Sequence, residues 1–229
     1  MNETNIINGI KILYEDENLI AADKPEGLSS ITENDTKLDS LHSLLEKKLN
    51  GKLFVVHRLD KEVSGVILFA KDPRTHKFIN DQFAERKVKK YYTALVHGVV
   101  KENDCVIKKP IREFGSGRMG VDDRKGKPSE TKFSVVKRFR DYTLLELNPS
   151  TGRRHQLRVH LYSIGYPIVG DTRYGEKVIQ EKFSRILLHA KSLEFQLPNG
   201  ETLFVEAPVP RSFVEAVNKF SQLEISNRK

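Results

Sequence analysis

Cysteine occurs once in the chain, at Cys105. One thiol excludes an internal disulfide framework and any zinc site needing two or more cysteines from this chain. No apolar run approaches the roughly 18 residues of a membrane-spanning helix. The first residues, MNETNIINGIKILYEDEN, lack a basic stretch leading into an apolar one, so no signal peptide is read there. Nucleotide motifs fail as well. Gly126-Lys127 is followed by Pro128 rather than Ser or Thr, which removes a Walker A loop. Residues Gly115 to Gly120 spell G-x-G-x-x-G, but in a polar stretch rather than between a strand and a helix. His155 and His160 are five apart and fall on different faces of a helix, which argues against a two-histidine metal clamp. Repeats and low-complexity linkers are missing too. These absences describe a protein expected in the cytoplasm, with no metal, no cofactor and no membrane partner.

What is present is positive charge on a foldable composition. Among 229 residues, 39 are Lys or Arg and 31 are Asp or Glu, for a net charge of +8. That balance points toward polyanions, nucleic acid first. Hydrophobic residues make up 38% of the chain, enough for a core in spite of the charge.

Periodicity suggests an order of elements. IKILYE and NLIAAD read as extended pieces, KPEGLSSITENDT as a loop, and residues 39–49 as a helix with Leu41, Leu44, Leu45 and Leu49 on one side. LFVVHRL reads as a strand, followed by a turn at Ser64-Gly65 and a second strand, VILFA. A helix opens at Pro73, and KYYTALVHGVV is a strand. Residues 110–128 are expected to be a long surface loop. Strands at TKFSVVKRF and YTLLEL, a helix over about 154–163, strands at SLEFQL and ETLFVEA, and a helix from near Arg211 complete the chain. Strands do not alternate regularly with helices, so the expected class is α+β, a single domain over 1–229 around a mixed, mostly antiparallel sheet.

The segment from Val55 to Lys71, VVHRLDKEVSGVILFAK, carries the most chemistry. Asp60 is a lone carboxylate closing an apolar run, with Arg58 two residues before it and Lys61 after it. In an extended strand positions 58 and 60 point the same way. Nearby cations favour an ionised carboxylate, which suits a nucleophile or charge stabiliser better than a proton donor. Spacing alone favours a plainer reading, a strand end with an ordinary ion pair. On the predicted helix at 154–163, Leu157, Leu161 and Ile164 form an apolar stripe, and Arg154, Arg158 and Tyr162 a second row. Two arginines four apart repel, so anionic partners are expected for them.

The segment His57-Arg58-Leu59-Asp60-Lys61-Glu62-Val63-Ser64-Gly65 resembles the signature of the RluA-type pseudouridine synthases, His-Arg-Leu-Asp-x-x-Thr-Ser-Gly, with Val63 in place of the usual Thr. Further matches follow in family order. They are Lys24-Pro25-Glu26-Gly27-Leu28, VKKYYTALVHG from Val88, TGRRHQLRVHL from Thr151 with Arg154 in place of Thr, Gly170-Asp171 with Tyr174-Gly175, and Leu188-His189-Ala190. Together they run from about residue 12 to 208, and the N-terminal S4-like domain of some relatives is not expected ahead of them.

The resemblance implies the pseudouridine synthase fold and an isomerase that breaks the N1–C1′ bond of an RNA uridine, turns the base and rejoins it through C5. It implies no cofactor. It makes Asp60 the essential carboxylate, Tyr92 the residue against the uracil and Arg158 the partner of Asp60. It makes Arg58 the side chain that fills the gap left by a flipped uridine, since the reacting atoms are inaccessible in a stack. Tyr91 points to the face opposite Tyr92, so one of the two is expected to be ordinary packing. Arg154 and Lys90, with Arg86, Lys87, Lys89 and the run Arg124, Lys125, Lys127, are candidates for RNA phosphates. The substrate is expected to be ribosomal or transfer RNA, bound by a monomer that needs no protein partner. The alternatives are a glycosidase-like hydrolase, which ordinarily needs a second carboxylate, and a catalytically silent RNA-binding protein on the same fold.

Overall fold

The computed structural model describes residues 6–7, 9–32 and 39–226, with side chains described through residue 220. Residues 33–36 of the loop expected after Asp23 lie outside the described residues. Strands β1 (Ile6–Ile7), β2 (Ile10–Glu15) and β3 (Leu19–Lys24) are followed by α1 (Leu41–Leu49), β4 (Phe54–Val55), β5 (Ser64–Ala70) and α2 (Pro73–Ala84). Then come β6 (Lys89–His97), β7 (Asp104–Lys108), β8 (Ile111–Glu113), β9 (Met119–Val121), β10 (Glu130–Arg138) and β11 (Tyr142–Pro149). The chain closes with α3 (Gln156–Ser163), α4 (Lys177–Gln180), β12 (Leu188–Gln196), β13 (Thr202–Glu206) and α5 (Arg211–Ser226). Strands β1 and β7 and helix α4 were too short or too polar to show as periodic patterns. Among the described residues no helix is long and apolar enough to cross a membrane.

The chain forms two compact units, Met1–Lys90 with Ala190–Pro208, and Tyr91–His189 with Val209–Lys229. In the first, the strands run in the order β1-β2-β3-β5-β12, with β4 also on β5 and β13 on β12. The ladders β1·β2, β2·β3, β3·β5, β4·β5 and β12·β13 are antiparallel. All seven residues of β5 are buried, as the unbroken run SGVILFA requires of a strand covered on both faces. Leu19, Val66, Leu68, Ile79, Leu193 and Phe195 lie in its core, with Phe78 and Phe83 of α2 packed against it. Ser40 caps α1 and exchanges hydrogen bonds with Ser43 as a capping box. Asp72 caps α2, with Pro73 in its first turn.

The second unit orders its strands β6-β11-β10-β7, all antiparallel. The stretch expected to be a loop over 110–128 instead contains the hairpin β8–β9, tied to Lys127 by an isolated bridge at Ile111. Its strands are only three residues long, below what sequence alternation reveals. Ile111 and Met119 of the hairpin pack with Val159 of α3 and with Tyr174.

Two boundaries near the candidate residues differ from expectation. The strand expected over LFVVHRL pairs only at Phe54 and Val55, and the turn spans 60–63, closed by Val63 N–H donating to the Asp60 carbonyl at 3.1 Å. Ser64 and Gly65 already belong to β5. The regular alternation that put positions 58 and 60 on one face therefore does not extend to them. Helix α3 begins at Gln156, leaving Arg154 outside it, so no i, i+4 arginine pair exists there.

Candidate active site

The sequence-predicted residues fall into two groups, Arg58, Asp60 and Lys90 in the first unit and Tyr92, Arg154 and Arg158 in the second. Asp60 sits where β4 abandons the sheet. Past the Val55–Phe69 pair, the Leu68 N–H donates to Nε2 of His57, at 3.0 Å. A backbone N–H can only donate, so Nε2 is an acceptor and the neutral ring carries its proton on Nδ1. Burial, and then the Lys90 ammonium, push the His57 pKa down to about 3. The ring stacks on Phe83 at 5.2 Å. By substituting for a strand carbonyl, His57 frees the residues that follow it to leave the ladder.

The loop after β3 fastens the freed segment on both sides of Asp60. Ser30 Oγ donates to the Leu59 carbonyl at 2.7 Å and accepts from the Leu59 N–H at 3.0 Å. The Gly27 N–H donates to the Lys61 carbonyl at 2.9 Å, with Gly27 at φ 78°, where a side chain is disfavoured. Lys24, fully buried, points its ammonium at the carbonyls of Pro25, Leu28 and Lys61, at 2.9, 2.7 and 3.0 Å. Those three carbonyls match the three donors of an ammonium, and such hydrogen bonding is what a buried cation requires. The carboxylate of Asp60 is thus carried, partly buried, on a backbone clamped at 59 and 61. Arg58 is exposed. Lys90 turns inward on β6 while Lys89 turns out, so it lies outside the exposed basic run expected there; burial lowers its pKa to about 8.

In the second unit Tyr92 is half-buried on β6, opposite Leu147 of β11. Helix α3 is buried over residues 156–161, polar positions included. Gln156 is satisfied by Thr151, the Arg153 N–H, Thr131 and the Glu130 carbonyl, and His160 by Thr131 and the Lys109 carbonyl. Arg158 makes a two-armed salt bridge with Asp171, Nε to Oδ2 and Nη2 to Oδ1, each 2.8 Å. The Tyr174 ring lies 5.3 Å from its guanidinium, and burial raises the pKa of that phenol. The Tyr174 hydroxyl meets His155 Nδ1 at 2.8 Å, and His155 enters the helix in the left-handed region, at φ 55°. Arg154 pairs with Glu113 of β8 at 2.8 Å. Both arginines do have anionic partners, but each is a carboxylate of this chain, and Arg158 reaches its own from a helix that Arg154 does not share.

Lys24, Ser30, His57, Asp171 and Tyr174 support these groups without having been assigned roles from sequence. Lys24, His57, Asp171 and Tyr174 lie in the matched blocks, which was the available signal; Ser30 gave none. Among the described residues no three His, Cys, Asp or Glu side chains gather as a metal site.

The sequence profile of a family described as RNA pseudouridylate synthase matches residues 18–163. The chain is 36% identical to the ribosomal large subunit pseudouridine synthase C of Buchnera aphidicola from Acyrthosiphon pisum, over 95% of this chain and 72% of that one. It is 35% identical to an uncharacterized RNA pseudouridine synthase of Zymomonas mobilis, over 90% of this chain and 96% of the other. Among solved structures, human RNA pseudouridylate synthase domain containing 4 superposes with a TM-score of 0.76 at 30% identity, covering 92% of both chains.

Proposed function

From the premise that the chain belongs to the RNA pseudouridylate synthase family, and so isomerises uridine to pseudouridine in RNA, we propose that its substrate is large-subunit ribosomal RNA and that Asp60 is its nucleophile. The substrate class comes from relatives such as the Buchnera protein, named for the large ribosomal subunit. The hydrolase and silent-binder alternatives receive no support from these relatives. For Asp60 the supporting observation is the clamp: the residues on either side of it are held by Ser30, Gly27 and Lys24. Such pre-organisation suits a group that must meet a reacting carbon in one geometry.

The reaction breaks N1–C1′, forms C5–C1′, places a proton on N1 and loses one from C5. Attack at C1′, attack at C6 and passage through a glycal all begin with an ionised carboxylate beside the nucleoside. Tyr92 is proposed to lie against the uracil and assist loss of the C5 proton. Arg158 is proposed to partner Asp60, and exposed Arg58 to take the place of the flipped uridine. Arg154 is proposed to contact RNA phosphate, exchanging for it the exposed Glu113 pairing, which is weak in water. The protein is proposed to act as a monomer, in the cytoplasm.

The test uses 5-tritiated uridine in RNA, because only the isomerisation must release that tritium to water. Wild type is expected to release it, and Asp60→Asn to release none while binding RNA within about threefold of wild type, since shape is kept and only charge is lost. Turnover of the Asn variant above about 5% of wild type overturns the nucleophile. Mapping pseudouridines in total RNA with and without the protein tests the ribosomal substrate.

A further inference from the structure

We propose that Asp171 is a positioning residue of the reaction: its carboxylate locks the Arg158 guanidinium in one orientation, and turnover depends on that lock rather than on positive charge at position 158 alone. The inference rests on the reading that Arg158 partners the reacting carboxylate.

The pair is buried, with side-chain exposures of 4% for Arg158 and 0% for Asp171. Two parallel bonds engage Nε and Nη2, so the plane of the guanidinium and the direction of its remaining nitrogen, Nη1, are set by Asp171. Asp171 cannot swing in response. Its Oδ1 also accepts the N–H groups of Arg173 and Tyr174, at 3.1 and 3.2 Å. Its carbonyl accepts the Gly175 N–H at 2.9 Å, and its own N–H donates to Ile168. The preceding Gly170, at φ 79°, is pressed so closely on the next segment that a Cβ there would lie 1.9 Å from the Arg185 carbonyl oxygen.

The guanidinium is held from a second direction by the Tyr174 ring, which His155 ties down through the phenol. His155 does this from a backbone conformation that non-glycine residues seldom adopt, and such strain collects at working sites. A buried ion pair is a poor device for stability alone, since apolar side chains of equal volume commonly serve as well or better. A fixed orientation for one cation is what this arrangement supplies and an apolar pair does not.

The experiment measures single-turnover tritium release at saturating RNA, RNA affinity and folded fraction for Asp171→Asn, Arg158→Lys and the double variant. Asp171→Asn keeps the shape and removes the charge of the fork. The lock predicts a rate per folded molecule reduced at least about 30-fold with RNA affinity within about threefold. It further predicts a double variant no slower than Arg158→Lys, because a lock has no effect without the guanidinium it holds. A merely structural pair lowers the melting temperature and leaves the rate per folded molecule unchanged. A rate within about threefold of wild type, a loss confined to RNA affinity, or losses that multiply in the double variant overturn the lock. If Asp171→Asn does not fold, Arg158→Lys decides. Lysine keeps the charge beside Asp171 but cannot present a planar fork, so a wild-type rate overturns the lock and a slow rate with intact RNA binding supports it. An active Asp60→Asn variant refutes the underlying reading. An inactive Asp60→Asn beside a fully active Asp171→Asn refutes the lock alone.

Discussion

Arg58 shows how much one side chain two residues from the proposed nucleophile can be asked to do. It is exposed, while Leu59 and Lys61, on either side of Asp60, are clamped. A flipped uridine leaves a gap whose opening costs a few kcal/mol, and a planar guanidinium fills such a gap by stacking while offsetting phosphate charge. Arg58→Ala is therefore expected to lower kcat/KM on a structured stem-loop at least about tenfold more than on a short flexible single strand. Equal losses on the two substrates identify Arg58 as a plain phosphate contact instead. His57, one residue earlier, carries a prediction about pH. Its folded pKa is near 3 against 6.5 for a free ring. Between those values the unfolded chain binds a proton that the folded protein refuses. The stability His57 contributes is complete above pH 6.5 and is lost as pH falls toward 3, at up to about 1.4 kcal/mol per pH unit. Urea midpoints between pH 7.5 and 4.5 measure this slope. His57→Gln, whose Oε1 can accept the Leu68 N–H, is expected to bind one proton fewer on unfolding across that range; an unchanged slope refutes the assignment.

At the scale of elements, β5 and α3 behave differently from their patterns. The apolar run of β5 predicted a buried strand, and it is one, but the strand begins two residues early because Gly65 is needed inside it. Gly65 lies at φ 119°, and a Cβ would stand 2.1 Å from the Ala190 carbonyl oxygen, a backbone atom that cannot step aside. Gly65→Ala is expected to cost about 2–3 kcal/mol and to lower Tm by roughly 5–10 °C for a chain of this length. A calorimetric scan within about 1 °C of wild type contradicts that close approach. Helix α3 was legible as a helix from its leucines. Its burial on all sides was not, because nothing local to Gln156, Arg158 and His160 names the distant groups that satisfy them.

For the whole molecule the governing quantity is the net charge of +8. RNA affinity is expected to fall linearly on a log–log plot against salt, by at least about tenfold between 50 and 200 mM, as counterion release requires. An affinity flat across that range means that stacking rather than phosphate contact holds the RNA. Filter binding over a salt series measures it.

Residue order by itself determined the α+β class, most of the longer strands and helices, and the family, through blocks running from Lys24 to Ala190. It determined these because periodicity, turn chemistry and motif spacing are properties of neighbours in the chain. It also marked Asp60, Tyr92, Arg58 and Arg158 as the residues to follow. Only the tertiary structure decided how they are held. The acceptor on His57 that ends β4, the Lys24 ammonium on Lys61, 37 residues away, and the Asp171 fork on Arg158, 13 residues away, each join partners that no local pattern relates. The same is true of Lys90, whose charge reads as a surface ligand for phosphate until the strand that carries it turns it inward. Burial and hydrogen-bond satisfaction are long-range conditions, and a polar residue discloses which one it meets only when its partners have arrived.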